Sequence, residues 1–365
     1  MTSTREAGPL ARLGANATTN ESRAILVGGT ALALGFLVGF LVIGGRSLPI
    51  TGTGSLGMVS ALVTAGMTAI AFVVGYLLPA PGSRRRTHPE PSNWRLGVNV
   101  AALALAHAAI ALLLLEGISI VMSDAFIGAK VYAFSSALIV GISAALASYA
   151  TFLSASGMTT TRIATVLALY LVVGLMAAML STSDPRWWEK NISALGIGDD
   201  VSSWIFNVTL IVAGTLITAI SVYLMTELGQ GHLARGPHDA DDRNEATRIR
   251  VLGGALVLLG VFLALVGVFP ANWIEWVHNI FSTGLVVIFA GLVVGIRWIV
   301  PGLPEVFFVV GYVFLGVVLL ATMMFVIGFY TLTATEIVVF ALIFAWLVLL
   351  IRNISASGTD EGAGS

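Results

Sequence analysis

The sequence predicts an all-α polytopic transmembrane bundle of about ten spans, and three observations predict it: composition, the length of the apolar runs, and the placement of arginine. Hydrophobic residues fill 57% of the 365 positions and charged residues 10%, with a mean hydropathy of +0.96. So few ionisable side chains cannot supply the mixed charged surface that keeps a soluble domain dispersed. Ten apolar runs each approach the ~20 residues that cross a bilayer core about 30 Å thick. Basic residues then fall overwhelmingly on alternate loops, the pattern left by retention of positive charge on the cytoplasmic side.

Taken in order, residues 1–22 are polar and read as a cytoplasmic tail. No short apolar segment with a small-residue cleavage site precedes the first run, so that run is expected to be a signal anchor. The spans are expected at 23–45, 57–79, 97–122, 130–154, 161–181, 203–226, 249–269, 274–296, 304–327 and 331–351. The breaks at 270–273 and 328–330 are very short. With the N-terminus inside, the inner segments carry Arg5, Arg12, Arg23, Arg84, Arg85, Arg86, Arg95, Arg162, Arg235, Arg243, Arg248, Arg250, Arg297 and Arg352. The outer loops carry only Arg46, Lys130, Arg186 and Lys190. Both termini are therefore expected in the cytoplasm, and the protein in the plasma (inner) membrane. The organisation expected is a tail (1–22), a four-span block (23–154), a six-span block (155–351) and a disordered cytoplasmic tail (352–365).

Several function classes fall away. A net charge of -1 and a pI near 6.5 leave no basic surface for nucleic acid. The absence of cysteine excludes disulfides, thiolate metal sites and a cysteine nucleophile. No phosphate-binding glycine loop, Gly-x-Ser-x-Gly elbow or His-Glu-x-x-His is present, so no cofactor is expected. Glycine is abundant at 40 residues. Gly35 with Gly39, and Gly291 with Gly295, have the small-xxx-small spacing that lets helix backbones approach, within one chain or across an oligomer face.

The densest polar and aromatic cluster outside the inner loops is residues 183–196, Ser-Asp-Pro-Arg-Trp-Trp-Glu-Lys-Asn-Ile-Ser-Ala-Leu-Gly. It reads as a short helix in the outer interface, with Asp184 as cap, Pro185 at the first helical position and Gly196 at the exit. Trp188, Ile192 and Leu195 would then form an apolar stripe, with Arg186, Glu189, Lys190 and Ser193 opposite. Asp199 and Asp200 suit the N-terminus of the sixth span.

Other polar residues enter from the same side. Asn207 lies early in the sixth span, and Glu275, His278, Asn279 and Ser282 open the eighth. Glu336 lies a turn into the tenth. An intramembrane imidazole or carboxylate is costly without a partner or water, which makes each a candidate functional group. Glu275 and His278 have i, i+3 spacing but lack the further ligands of a closed metal site, so no metal is expected. The expected pocket comprises Asp184, Trp187, Trp188, Asn191, Asn207, His278, Asn279, Ser282 and Glu336. Should the site be catalytic, the candidates are His278 as general base with Glu275, Glu336 or Asp184 as acid or orienting group. His107, mid-membrane in the third span, is expected to be a packed polar residue, and the His232 and His238 loop to be solvated.

The 183–196 string, followed by Ile205-Phe206-Asn207 and later His278-Asn279-Ile280-Phe281-Ser282, resembles the uncharacterised prokaryotic membrane family designated domain of unknown function 998. The resemblance covers the last six spans, about 161–351, and leaves the first four as an added block. It implies a lean toward lipid or envelope biology and assigns no activity. The function expected is binding or moving a lipid or small solute through an outward-facing polar pocket. The alternatives are an outer-leaflet lipid-modifying enzyme and a scaffold. Membrane lipids, a small-molecule or lipid ligand and an oligomer through Gly-rich faces are the partners expected.

Overall fold

In the computed structural model the described residues are 9–78, 93–234 and 241–360, and helices carry nearly all of them. The arginine run Arg84-Arg85-Arg86 and the His238-Asp239 stretch lie outside the described residues, as does the side chain of His232. Among the described residues, ten helices contain a segment long and apolar enough to cross a membrane. The protein is an all-α polytopic bundle, and the ten segments fall in the ten expected runs, from Thr18–Ile43 to Leu332–Ser355.

The helices divide into two compact units, Met1–Thr159 and Thr160–Ser365. The first contains α1 (Pro9–Ile43), α2 (Leu56–Leu77), α3 (Asn93–Ala125) and α4 (Ala133–Ser156). The second contains α5 (Thr160–Ser181), α6 (Val201–Ala234), α7 (Asp241–Val268), α8 (Glu275–Ile299), α9 (Glu305–Val326) and α10 (Leu332–Asp360). Helix α1 begins within the polar stretch before the first span, and α10 runs to Asp360, past the expected end of the tenth span at 351. Hydropathy marks where the apolar segment ends, whereas helical hydrogen bonding continues through polar residues of adequate propensity such as Arg352 and Ser355.

In the first unit α4 packs on α1 and α2. The spacing of Gly35 and Gly39 serves this packing: a Cβ on Gly35 would stand 2.9 Å from the Ala144 Cβ, and one on Gly39 3.0 Å from the Val140 Cβ. That glycine pair is thus an intrachain helix contact. Gly44 and Gly45 follow α1 with φ of +59° and +77°, turning the chain in a left-handed conformation that side chains with a Cβ resist. Beyond them β1 (Leu48–Pro49) pairs antiparallel with β2 (Lys130–Val131), Leu48 opposite Val131. This two-residue ladder occupies a stretch expected to open the fourth span. Pro49 offers no N–H for longer pairing, and Ile43, Leu48, Leu56, Ala137 and Val140 form a core beneath it.

In the second unit α6 and α7 cross most closely. A Cβ on Gly214 would fall 2.3 Å from the Gly260 carbonyl oxygen, and one on Gly260 2.6 Å from the Gly214 carbonyl oxygen. Trp346 of α10 is fully buried, edge-on to Phe289 of α8 with ring centroids 5.5 Å apart and tilted against Phe307 of α9. The short breaks between α7 and α8 and between α9 and α10 are genuine turns. Trp273 N donates to Pro270 O at 3.0 Å, and Gly328 has φ +78°.

Candidate functional site

The site is the segment between α5 and α6, together with the helix ends that hold it. The segment is not the single capped helix that its sequence suggests. It forms two 3-10 turns, Trp187–Glu189 and Ile192–Gly196, separated at Asn191, whose backbone is extended (φ -163°, ψ 166°). Arg186, not Asp184, is the N-cap of the first turn, which begins at Trp187 rather than Pro185; Asp184 instead bends the chain before it, its Oδ1 accepting from Arg186 N at 2.9 Å and its Oδ2 from Lys190 Nζ at 2.8 Å. The expected apolar stripe also splits. Ile192 and Leu195 are buried, 8% and 1% exposed, whereas Trp188 is 52% exposed. An isolated helix of this length is marginal, so tertiary bonds decide its shape.

Those bonds come from three helices. Glu336 of α10 accepts from Ile192 N at 2.6 Å. Asn207 of α6 donates through Nδ2 to Gly196 O at 3.0 Å, and a Cβ on Gly196 would meet the Asn207 Oδ1 at 2.6 Å. His278 of α8, 4% exposed, has Nε2 3.0 Å from Ser193 Oγ and Nδ1 2.8 Å from Phe269 O. A carbonyl only accepts, so Nδ1 carries the ring proton, and in the neutral imidazole Nε2 accepts from the serine hydroxyl. Asn207, His278 and Glu336 thus each find a partner on the segment, which offsets the cost of burying them.

A cleft of about 350 Å³ borders this segment, lined by Thr182, Ser183, Asp184, Lys190, Ala194, Ile197, Gly198, Asp199 and Asp200. Asp200 fixes its rim. Its Oδ2 accepts from Ser183 N and Oγ at 3.1 and 2.8 Å, and its Oδ1 accepts from Ser203 N at 3.0 Å, capping α6. Partial burial pushes the Asp200 carboxyl up, but the bonds from Ser183 and Ser203 outweigh it and leave its pKa below the ordinary value. The Lys190 ammonium, seconded by the Arg186 N–H, likewise holds Asp184 below the usual carboxylate range. Asp199 is exposed and makes no hydrogen bond or ion pair within the described residues.

Of the nine expected pocket residues, the structure gathers Asn207, His278 and Glu336 onto one segment, and places Asp184 in the cleft. Asn191 sits beside Ile192 with its Oδ1 buried and unpaired. Trp187 is half-buried and Trp188 faces outward. Asn279 is exposed on α8, and Ser282 Oγ donates back to His278 O at 2.9 Å within its own helix. Glu275 is exposed while His278 is buried, so this i, i+3 pair does not converge. Among the described residues no three His, Asp or Glu side chains gather to hold a metal ion. His107 makes the packed arrangement expected of it, with Nδ1 2.8 Å from Leu103 O and Nε2 3.1 Å from Ser154 Oγ.

Sequence reasoning placed Ser193 on the polar face of a helix and missed it as the partner of His278. No spacing rule links residues 85 positions apart. Exposed Trp188, Trp204, Trp273, Trp276 and Phe329 surround the same end of the second unit, a distribution that marks a membrane–water boundary. No family model, curated protein or solved structure matches this chain.

Proposed function

We propose that this integral membrane protein belongs to the cell envelope and binds a small solute or lipid headgroup in the cleft between α5 and α6, facing away from the cytoplasm. The observation that carries this is the cleft itself. Its volume of about 350 Å³ suits a small ligand, and its lining sets three carboxylates against one ammonium. Because Lys190 is already bound by Asp184 and Asp200 by Ser183 and Ser203, Asp199 is the carboxylate with capacity to spare. A concave site with surplus negative charge favours a cation, so an ammonium-bearing solute or headgroup fits it. The arginine distribution supports the outward sidedness, and the exposed tryptophans support access from the headgroup layer. The resemblance to the domain-of-unknown-function 998 family leans toward the same envelope and lipid setting.

The test is thermal unfolding of the purified full chain with added choline, ethanolamine or tetramethylammonium, against sodium at equal ionic strength. Saturable stabilisation by an ammonium compound is expected, reaching about 2.7 kcal/mol at a hundred times its Kd. It should vanish in Asp199→Asn. Equal effects of sodium and the ammonium compounds, or undiminished stabilisation in the variant, would refute the reading.

A further inference from the structure

Ser193 and His278 have the relation of a nucleophile to its base, and we infer that they catalyse acyl transfer from a carboxylic ester of a membrane lipid to water. The inference goes beyond ligand binding in the cleft and does not depend on it. Three atoms carry it: Ser193 Oγ, His278 Nε2 at 3.0 Å, and Phe269 O, 2.8 Å from Nδ1. The carbonyl fixes both tautomer and ring orientation, the task a carboxylate performs in the familiar triads. The lone pair of Nε2 is thereby aimed at the serine proton, which is what activates a hydroxyl otherwise too weak a nucleophile.

The surroundings are consistent with that role. His278 is buried, whereas Ser193 is half-exposed, so the base is shielded and the nucleophile can be approached. The turn carrying Ser193 is held on both sides, by Glu336 at Ile192 N and by Asn207 at Gly196 O, which limits drift of the hydroxyl. Glu336 and Asn207 are thus positioning residues. The backbone N–H of Ser193 makes no hydrogen bond within the described residues, leaving a donor beside the nucleophile for a developing oxyanion. The site lies at the end of the unit ringed by exposed tryptophans, the level at which a glycerolipid presents its ester carbonyls.

The reaction balances with water as the only co-reactant. Ser193 Oγ bonds to the ester carbonyl carbon as its proton passes to His278 Nε2. The tetrahedral intermediate collapses, the ester C–O bond breaks, and Nε2 returns the proton to the leaving alcohol. Water, deprotonated by the same nitrogen, then attacks the acyl-serine, releases the carboxylic acid and restores the hydroxyl.

The full chain, purified in nanodiscs, is treated with a fluorophosphonate probe and the adduct located by peptide mass spectrometry. Hydrolysis is followed on 4-nitrophenyl butyrate and as fatty acid released from dioleoyl phosphatidylglycerol vesicles. A single adduct on Ser193 is expected, absent in Ser193→Ala. In His278→Gln, whose amide can keep both hydrogen bonds but cannot take the proton, labelling should slow by about 100-fold or more. Elution volume and unfolding temperature of each variant separate lost chemistry from lost fold. The inference is overturned by no adduct on Ser193, by equal labelling in His278→Gln, or by adducts spread evenly over other serines such as Ser154. Hydrolysis of the butyrate without release of fatty acid overturns the lipid assignment.

Discussion

Removing the Glu336 carboxylate should loosen the segment over the bundle by an amount the structure sets. Glu336 accepts from Ile192 N at 2.6 Å, and Ile192 is only 8% exposed, so the N–H left behind in Glu336→Ala has no ready access to water. Leaving a buried donor unpaired costs about 1–3 kcal/mol. If the segment opens as a unit, that loss raises its open population by about 5- to 150-fold, since 1.4 kcal/mol is a factor of ten. The chain has no cysteine of its own, so Ile192→Cys supplies a single buried thiol. Its labelling by a membrane-impermeant maleimide reports opening. Glu336→Ala added to this background should accelerate labelling by that factor. Glu336→Gln, which can still accept in a neutral bond, should give a smaller increase. Equal labelling rates with and without Glu336→Ala would show that the bond does not hold the segment and that the three-helix attachment is misread.

Three further outcomes are expected. Gly214→Ala should destabilise the second unit by about 1–3 kcal/mol in thermal or denaturant unfolding, because its Cβ meets carbonyl and amide atoms of α7 that cannot rotate away; Gly254→Ala, with nothing within 4 Å, is the control, and equal stability of the two variants would count against the crossing. The Asp184 and Asp200 carboxyls have pKa values below the ordinary one, so their contribution is complete above the unfolded-state value of about 3.9 and is lost as pH falls through the lower folded-state value. Asp200→Asn should therefore lessen the loss of thermal stability between pH 5 and pH 2 (approximately the span titrated by such carboxyls), and an unchanged acid profile would contradict the bonding described. Cysteines placed singly at exposed Glu189 and Asn244 should react with an impermeant thiol reagent from opposite sides of the membrane, Glu189 from outside; labelling of Asn244 from outside would reverse the topology.

The spans are legible in the sequence because a lipid environment imposes one requirement, an unbroken apolar length, that twenty or so residues satisfy locally. The capping of α6 by Asp200 is legible for the same reason: it involves residues three apart. The 183–196 segment is legible only in part. Asp184 does bond locally, to Arg186 N, but it caps neither turn, and an extended Asn191 is imposed by the bonds with Glu336, Asn207 and His278, which lie on other helices. The same limit hides Ser193. Asn207, His278 and Glu336 stand out as costly polar residues in apolar helices, whereas a serine within a polar stretch carries no such mark until the fold sets it against an imidazole. The β1–β2 ladder is hidden for a related reason, since two-residue strands leave no alternation to detect.

The attachment of one segment to α6, α8 and α10 also has a mechanical consequence. A tripod keeps its footing only while its feet keep their separation. If these three helices spread in the plane of the membrane, as under lateral tension or thinning of the bilayer, the segment cannot follow all of them, and one bond must part. The segment runs covalently into α6 at Val201, and Ser202 Oγ also donates to Leu195 O, so α6 is the foot that holds. The bonds that can part are those from Ser193 to His278 on α8 and from Ile192 to Glu336 on α10. Either loss would let the segment swing on α6 away from the other helices and uncover the His278 imidazole or the Glu336 carboxyl. Lateral stress in the lipid would thus alter access from the water at this point.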